Sequence, residues 1–355
     1  MNMISRLFEY DIGIDLGTAN MRVWVKGEGL VLDEPTVVTV DASTRKILAV
    51  GEEAKRMLGS TPGNLVAIRP VRGGVIEDFD LAEKLIRWSI AKIDLRKLRR
   101  PRAVIAVPCD LQPQRKTELK NAAIKAGVRE VFMAEAPMAA AIGAELPVTE
   151  VAGNMVVDIG AGTTEMALVS LAGIVAAKSI PVGGDAMNEA IMDYLREHHD
   201  LLVGERTAED IKLRIGSAHK LAHELEYEIK GRDVAKGRPH TVQFDSPEIR
   251  KALDGAFAPV KEALGGPLGQ IEAAVRRLLE MAPPQIAADL TERGFLLTGG
   301  GALLPGLDKR LAEATGLRVR VADDPAHAVI RGVGRVLDKL RCLSKITPEQ
   351  QEPTA

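Results

Sequence analysis

Two short acidic-glycine motifs, Asp15-Leu16-Gly17-Thr18 and Asp158-Ile159-Gly160-Ala161-Gly162-Thr163-Thr164, stand 143 residues apart in this chain. A carboxylate at a strand end can hold a hydrated Mg²⁺, a hard cation that prefers oxygen ligands and keeps its waters. Glycines behind it let the backbone approach a phosphate and turn N–H groups toward it. Thr18, Thr163 and Thr164 add hydroxyl donors. Each motif follows an apolar run, Ile12-Gly13-Ile14 or Met155-Val156-Val157, and precedes another, Val23-Trp24-Val25 or Met166-Ala167-Leu168-Val169. The pattern is one β-hairpin written twice. Two such hairpins facing each other would clamp the phosphates of a nucleoside triphosphate from both sides. One Asp-x-Gly alone could mark any hairpin turn; two copies with matched flanks are harder to dismiss.

A third glycine-rich turn, Thr298-Gly299-Gly300-Gly301-Ala302, follows the apolar strand Gly294-Phe295-Leu296-Leu297 and precedes Leu303-Leu304-Pro305-Gly306-Leu307, which reads as a helix start. It is placed to carry the nucleoside. The chain has neither a Walker A sequence nor a Rossmann GxGxxG beside these turns, which argues against those phosphate-binding folds.

The elements that must position these turns follow from periodicity. Ala103 to Pro108 is a buried-type strand. Gln114 to Ala126 is a helix with Leu119, Ala122, Ala123 and Ala126 at i, i+3, i+4 and i+7. Met138 to Ala144 reads as a small-residue helix packed close to another element. Ala208 to Leu225 reads as helical, and Pro247 to Met281 as a long helical region broken near Gly265-Gly266-Pro267. Strands separated by helices predict an α/β protein with mostly parallel sheets. With 355 residues the chain suits two lobes rather than one simple core. The hairpin spacing fits a duplicated half-molecule.

Composition narrows the function classes. Apolar residues make up 46% and charged residues 27% of the chain, as in ordinary globular proteins. The net charge of −2 gives no reason to expect nucleic acid as a partner. Cys109 and Cys342 are too few for a disulfide framework or a zinc site, so a reducing cytoplasm is the default. No apolar run reaches the roughly 20 residues that span a bilayer, and the N-terminus lacks the pattern of a secretory signal.

The hairpin pair and the TGGGA turn resemble the ATPase core shared by actin, heat-shock chaperones and sugar kinases. Longer stretches are similar to the bacterial actin family of MreB and Mbl: DIGIDLGTAN (11–20), VKGEGLVLDEPTVV (25–38), AVGEEAKRMLGSTPGNLVAIRPVRGGVIEDF (49–79), APMAAAIGAELPV (136–148), GNMVVDIGAGTTEMALVSLAGIV (153–175), LLVGERTAEDIK (201–212) and ERGFLLTGGGALLPGLD (292–308). The similarity runs from about 11 to 340. It implies an actin-like ATPase fold, two lobes of duplicated ribonuclease-H-like topology around a central nucleotide cleft. One lobe would take 11–150 with a small subdomain near 33–75, rejoined by about 322–343; the other would take 151–321 with a small subdomain near 182–245.

The resemblance also assigns roles, residue by residue. Thr18, Ala19 and Asn20, after Gly17, form the first phosphate loop; Gly162, Thr163 and Thr164, after Gly160, form the second. Asp15 and Asp158 are the carboxylates on the Mg²⁺ side. Glu209 and Lys212, one helical turn apart, meet adenine and ribose; without the resemblance they read as a surface ion pair. Gly184 and Asp185 turn beside the cleft, and Gly299, Gly300, Gly301 and Ala302 complete the site for ATP. One departure matters. The family has a glutamate directly before Pro137 to orient the attacking water, and this chain has Ala136. Losing such a group commonly costs about 10²–10⁴-fold in rate. Glu135 is adjacent, but neighbouring side chains diverge, so substitution by it is doubtful; a water held by Asp158 is the other candidate. Lesser departures are Ala161, for the middle glycine of the second loop, and Met21, for a small polar residue. The expectation is ATP binding with slow or lost hydrolysis.

Two segments suggest a membrane surface. Met1, Ile4, Leu7 and Phe8 lie on one helical face of 1–10, as in a short helix lying in an interface. In 92–102, six basic residues are interleaved with Ile93, Leu95 and Leu98, and each basic residue could contribute about 1 kcal/mol near an anionic leaflet. The alternatives are a helix docked on the body and a solvated loop. The resemblance further implies filaments, with paired protofilaments, on the inner face of the cell membrane, with shape-determining and wall-synthesis proteins as partners. The tail, 344–355, reads as disordered. Two other classes remain: a divergent paralogue serving as a static nucleotide-bound scaffold, favoured by Ala136, and an active ATPase or kinase, for which no base or sugar-pocket motif is found.

Overall fold

A computed structural model describes residues 10–59, 63–93, 100–255 and 265–343, the last four without their side chains. Met1, Ile4, Leu7, Phe8, Leu95, Leu98 and the 344–355 tail lie outside the described residues.

Alternation of apolar residues builds the first lobe. β1 (Asp11–Leu16), β2 (Asn20–Val25) and β3 (Gly29–Pro35) form an antiparallel meander. Beyond it, β4 (Val38–Asp41), β5 (Ile47–Val50), α1 (Glu52–Met57) and β6 (Leu65–Ile68) make a small three-stranded sheet, and β7 (Val71–Arg72) and β8 (Val75–Ile76) a short hairpin. The chain returns through α2 (Phe79–Lys92), β9 (Arg102–Val107), α3 (Pro113–Ala126), β10 (Glu130–Glu135) and α4 (Ala136–Gly143). The resulting order is β10-β9-β1-β2-β3. Ile12, Ile14, Met21, Val23 and Val25 pack one sheet face against Leu81, Leu85 and Ile86 of α2 and Leu119 and Ala123 of α3. The residues between them, Gly13, Asp15, Arg22 and Trp24, face the other way because side chains alternate along a strand.

The second lobe repeats this plan. It opens with β11 (Asn154–Ile159), β12 (Thr164–Ser170), β13 (Gly173–Ile180), α5 (Gly184–His199), β14 (Leu201–Leu202), α6 (Glu205–Ile215), β15 (Glu226–Asp233) and β16 (Pro239–Asp245). It continues with α7 (Ser246–Asp254), α8 (Pro267–Glu280), α9 (Pro284–Arg293), β17 (Phe295–Thr298), α10 (Leu307–Thr315) and β18 (Val319–Val321). Its main sheet runs β13-β12-β11-β17-β18, and β14-β15-β16 form the second small sheet. In each main sheet the hairpin strands pair antiparallel and the other two junctions are parallel. The sheets are therefore evenly mixed rather than mostly parallel.

α11 (Ala328–Leu343) closes the chain against α4. Together they form a middle layer, with Val104 of β9 and Val156, Ala167 and Val169 of β11 and β12 in the same apolar cluster as Ala139, Ala140, Ala141, Ala328, Ile330 and Val333. A Cβ on Gly143 would lie 1.8 Å from the Ala328 carbonyl oxygen, and one on Gly332 1.8 Å from that of Ala139. Only glycines permit these helices to approach so closely, as the small-residue run of α4 predicts.

Two sequence expectations are corrected here. The helix from Ala208 stops at Ile215, where Gly216 turns to an extended conformation while its N–H caps the Lys212 carbonyl. The next strands, β15 and β16, carry alternating polar residues and were missed because most of their side chains face solvent. Within the long helical region α7 ends at Asp254, where Gly255 is left-handed, and α8 starts at Pro267 as the Gly265-Gly266-Pro267 break predicts; 256–264 lie outside the described residues.

Candidate functional site

The two hairpin turns have the same internal geometry. The Gly17 N–H donates to the Asn20 carbonyl at 3.1 Å, and the Gly160 N–H to the Thr163 carbonyl at 2.8 Å. Neither Gly17, Gly160, Gly162 nor Ala161 has a positive φ. Their small size serves proximity instead. A Cβ on Gly162 would lie 2.4 Å from Thr18 Oγ1 and 2.8 Å from the Gly73 nitrogen, so the second turn touches the first lobe where a side chain cannot fit. Thr18 is fixed by the Gly74 N–H, which donates to its hydroxyl at 3.2 Å. Thr36 Oγ1 donates to the Gly17 carbonyl at 2.8 Å and holds the first turn from beneath.

The third turn follows β17, the strand parallel to β11, so Thr298 lies beside Asp158. The Thr298 hydroxyl donates to Asp158 Oδ1 at 2.8 Å. Gly299, at φ 81°, passes against the Ile159 backbone, a left-handed conformation suited to glycine. Residues Gly300–Leu303 form a 3₁₀ turn before α10, whose preceding Gly306 is also left-handed at φ 77°.

These turns surround a cavity of about 460 Å³ lined by Asp15, Gly17, Thr18, Ala19, Asn20, Asp158, Gly160, Gly162, Thr163, Gly184, Glu209, Lys212 and Gly299 to Gly301. Thus most of the residues singled out from sequence meet around one space. Several stand differently. Thr164 is fully buried and donates its hydroxyl to the Val182 carbonyl at 2.7 Å. Ala302 is buried beneath the third turn. Asp185 pairs with Arg69 of the first lobe at 3.3 Å. Ala136 lines the cavity, while Glu135 is exposed and lies outside its lining. The α4 helix begins at Ala136, so the two side chains diverge as expected.

Ion pairs bridge the lobes over this space. Arg69 Nη2 reaches Glu205 at 2.7 Å with only 13% of its side chain exposed, and Lys55 Nζ reaches Glu209 Oε2 at 3.2 Å. Lys212 donates to the Gly184 carbonyl at 2.9 Å. Burial lowers its pKa, and Glu209 and Asp185 oppose that shift.

The cleft is electrostatically acidic. Burial raises Asp15, opposed by Arg22, and pushes Asp158 up to about 6, opposed by the Thr298 hydroxyl. Two residues escaped the sequence reading. Arg22 lies directly opposite Asp15 across the first hairpin, and Glu165 directly opposite Asp158 across the second. Both line the cavity. Glu165, 3% exposed, accepts from the Cys109 N–H at 3.2 Å, and burial pushes it up to about 8. Each stands seven residues after its aspartate, so comparing the two hairpins position by position would have found both.

The donor set fits a hydrated divalent cation. Asp15 and Asp158 are hard oxygen donors, Asp158 has only one oxygen engaged by Thr298, and phosphate oxygens would supply the rest. Among the described residues no cluster of three or more His, Cys, Asp or Glu forms a metal site by itself.

Comparison with known proteins agrees with this architecture. The chain is 43% identical over 340 residues to the cell shape-determining protein Mbl of Bacillus subtilis (strain 168), covering 96% of this chain and 99% of that protein. It is 46% identical over 340 residues to the cell shape-determining protein MreB of Escherichia coli (strain K12), covering 94% and 95% respectively. The crystal structure of MreB5 of Spiroplasma citri bound to AMPPNP superposes with a TM-score of 0.88 at 31% identity, covering 95% of this chain and 98% of that one. A MamK double helical filament, at 21% identity and TM-score 0.77 over 93% of this chain and 99% of that one, shares the fold. The profile of the MreB/Mbl protein family matches residues 9–345, and the chain belongs to that family and has its actin-like fold.

Proposed function

We propose that this chain is a bacterial actin that binds ATP with Mg²⁺ between its lobes, assembles into filaments on the inner face of the cell membrane, and contributes to cell shape by organising wall synthesis. The convergence of three glycine-rich turns and two aspartates on one cavity carries the nucleotide part. Thr18, Ala19, Asn20, Gly162 and Thr163 would bind the phosphates, and Glu209 and Lys212 the ribose and base. Asp15 and Asp158 would hold the cation through water; when bound it neutralises phosphate charge. The relatives' names support the cell-shape part, and the AMPPNP and ADP complexes of MreB5 support nucleotide in the cleft. Among the described residues no helix is long and apolar enough to cross a membrane, which is compatible with peripheral attachment. The apolar 1–10 face and the basic 92–102 segment would attach weakly by themselves, and polymerisation would multiply them.

Hydrolysis is weak or lost in this proposal, because Ala136 offers the cavity a methyl group where the family has a carboxylate. A second reading follows from the same observation: a paralogue that keeps ATP as a structural ligand and acts as a static scaffold. Phosphate release and pelleting, measured together with ATP and Mg²⁺ and with or without anionic liposomes, separate these. Pelleting on liposomes with negligible release supports the membrane filament. Absence of both favours the non-polymerising scaffold, and rapid release contradicts the account of Ala136.

A further inference from the structure

The two hairpins match in backbone yet carry opposite charges at matched positions. Opposite Asp158 stands Glu165; opposite Asp15 stands Arg22. Arg22 Nη1 lies 3.5 Å from Asp15 Oδ2 and its Nε lies 3.2 Å from Asp33 Oδ2. The buried Nε has no well-aligned hydrogen-bond partner. Only 17% of the side chain is exposed. A guanidinium has five donors in a rigid fork matched to carboxylate and phosphate oxygens. Here that fork is largely buried, flanked by Asp15 and Asp33, and lines the cavity beside the Gly17–Asn20 turn.

Its surroundings hold it in place. Asp33 is fixed by Asn20 Nδ2 at 2.6 Å and faces His327 Nε2 at 3.0 Å, while His327 Nδ1 faces Asp324 at 2.8 Å. Asp33 therefore already has other partners. Asp15, Asp158 and Glu165 otherwise crowd this end of the cavity with carboxylates; the cavity's other cation, Lys212, donates to Gly184 at the α5 end. A polyphosphate entering here needs positive charge. A divalent cation can supply it, and Arg22 is already present.

We infer that Arg22 is a built-in counter-cation of the phosphate cradle, so that this chain retains a nucleoside triphosphate with little help from a divalent cation. The inference rests on the nucleotide reading of the cleft and concerns how its charge is balanced. Arg22 is a binding and positioning residue, with its planar fork turned from Asp15 toward the phosphate oxygens when these arrive.

The test is calorimetric titration of ATP into the full chain, once with Mg²⁺ and once with excess EDTA, for the wild type, Arg22→Gln and Arg22→Lys. A charge-assisted contact of ordinary strength corresponds to about ten- to a hundredfold in affinity. The wild type should lose less than about tenfold on removal of Mg²⁺, Arg22→Gln at least tenfold more than the wild type, and Arg22→Lys an intermediate amount. Equal losses in wild type and Arg22→Gln overturn the inference. So does a wild-type loss beyond about a thousandfold, a result that needs no variant to fold and leaves nucleotide binding intact. Failure of the wild type to bind ATP in either buffer overturns the nucleotide reading and this inference with it.

Discussion

The Thr298 hydroxyl donates to Asp158 Oδ1 at 2.8 Å across 140 residues of sequence, joining the third glycine-rich turn to the second hairpin. Thr298 is fully buried and Asp158 9% exposed, so the bond is shielded from bulk water. Thr298→Val keeps the shape and deletes the donor. It should destabilise the protein by about 1–3 kcal/mol and weaken ATP binding, measured by denaturant titration and calorimetry.

Arg69 is the least exposed of the cations that bridge the lobes, with Asp185 and Glu205 across the gap. Removing it leaves two acids that already repel each other without the cation that joins them to the first lobe. Arg69→Ala should therefore speed dissociation of a fluorescent ATP analogue by about tenfold, with a smaller change in the association rate, as stopped-flow displacement would show.

Glu165 titrates near 8 instead of its ordinary 4.5, chiefly because it is buried. The raised value means that the folded state resists ionisation. The cost is absent below pH 4.5, grows as pH rises toward 8, and is complete above it. Glu165→Gln keeps an acceptor for the Cys109 N–H and removes the charge. Its gain in melting temperature over the wild type, both without nucleotide, should be larger at pH 8.5 than at pH 5.5. A pH-independent difference would show that Glu165 does not change charge there.

Gly143 and Gly332 sit where α4 and α11 touch, each against the other helix's carbonyl at 1.8 Å from a hypothetical Cβ. Backbone cannot yield as a flexible side chain does. Gly332→Ala should cost about 3 kcal/mol or more, whereas Gly269→Ala, with open space around it in α8, should be near neutral or stabilising. Thermal melts of the two variants would check the contrast.

How far the sequence revealed this protein depended on how local each signal was. The duplicated Asp-x-Gly hairpins, the Thr298 turn and the small-residue α4 were legible because each needs only neighbouring residues and glycine's size. Leu119, Ala122, Ala123 and Ala126 were legible because one buried face imposes the helical period. β15 and β16 were not, because Glu226, Glu228 and Lys230 face solvent and leave little apolar alternation. Arg22 and Glu165 were missed for another reason: a charged residue inside an apolar strand reads as solvent-facing until its partner across the hairpin is known. Asp185 and Thr164 belong to the right turns, yet Arg69 and the Val182 carbonyl occupy their polar atoms. Only tertiary structure could show that.

Ala136 tests the catalytic side directly. Restoring a carboxylate with Ala136→Glu places an acceptor on the cavity lining, and phosphate release should rise by about a hundredfold or more. No gain would mean that something other than this side chain limits turnover.

The most direct test of the whole account is to incubate the wild-type chain with ATP and Mg²⁺, remove free nucleotide, and identify what stays bound. The account predicts one nucleotide per chain, recovered as ATP, with little free phosphate. Recovery of no nucleotide, or of ADP with a matching amount of phosphate, would contradict it.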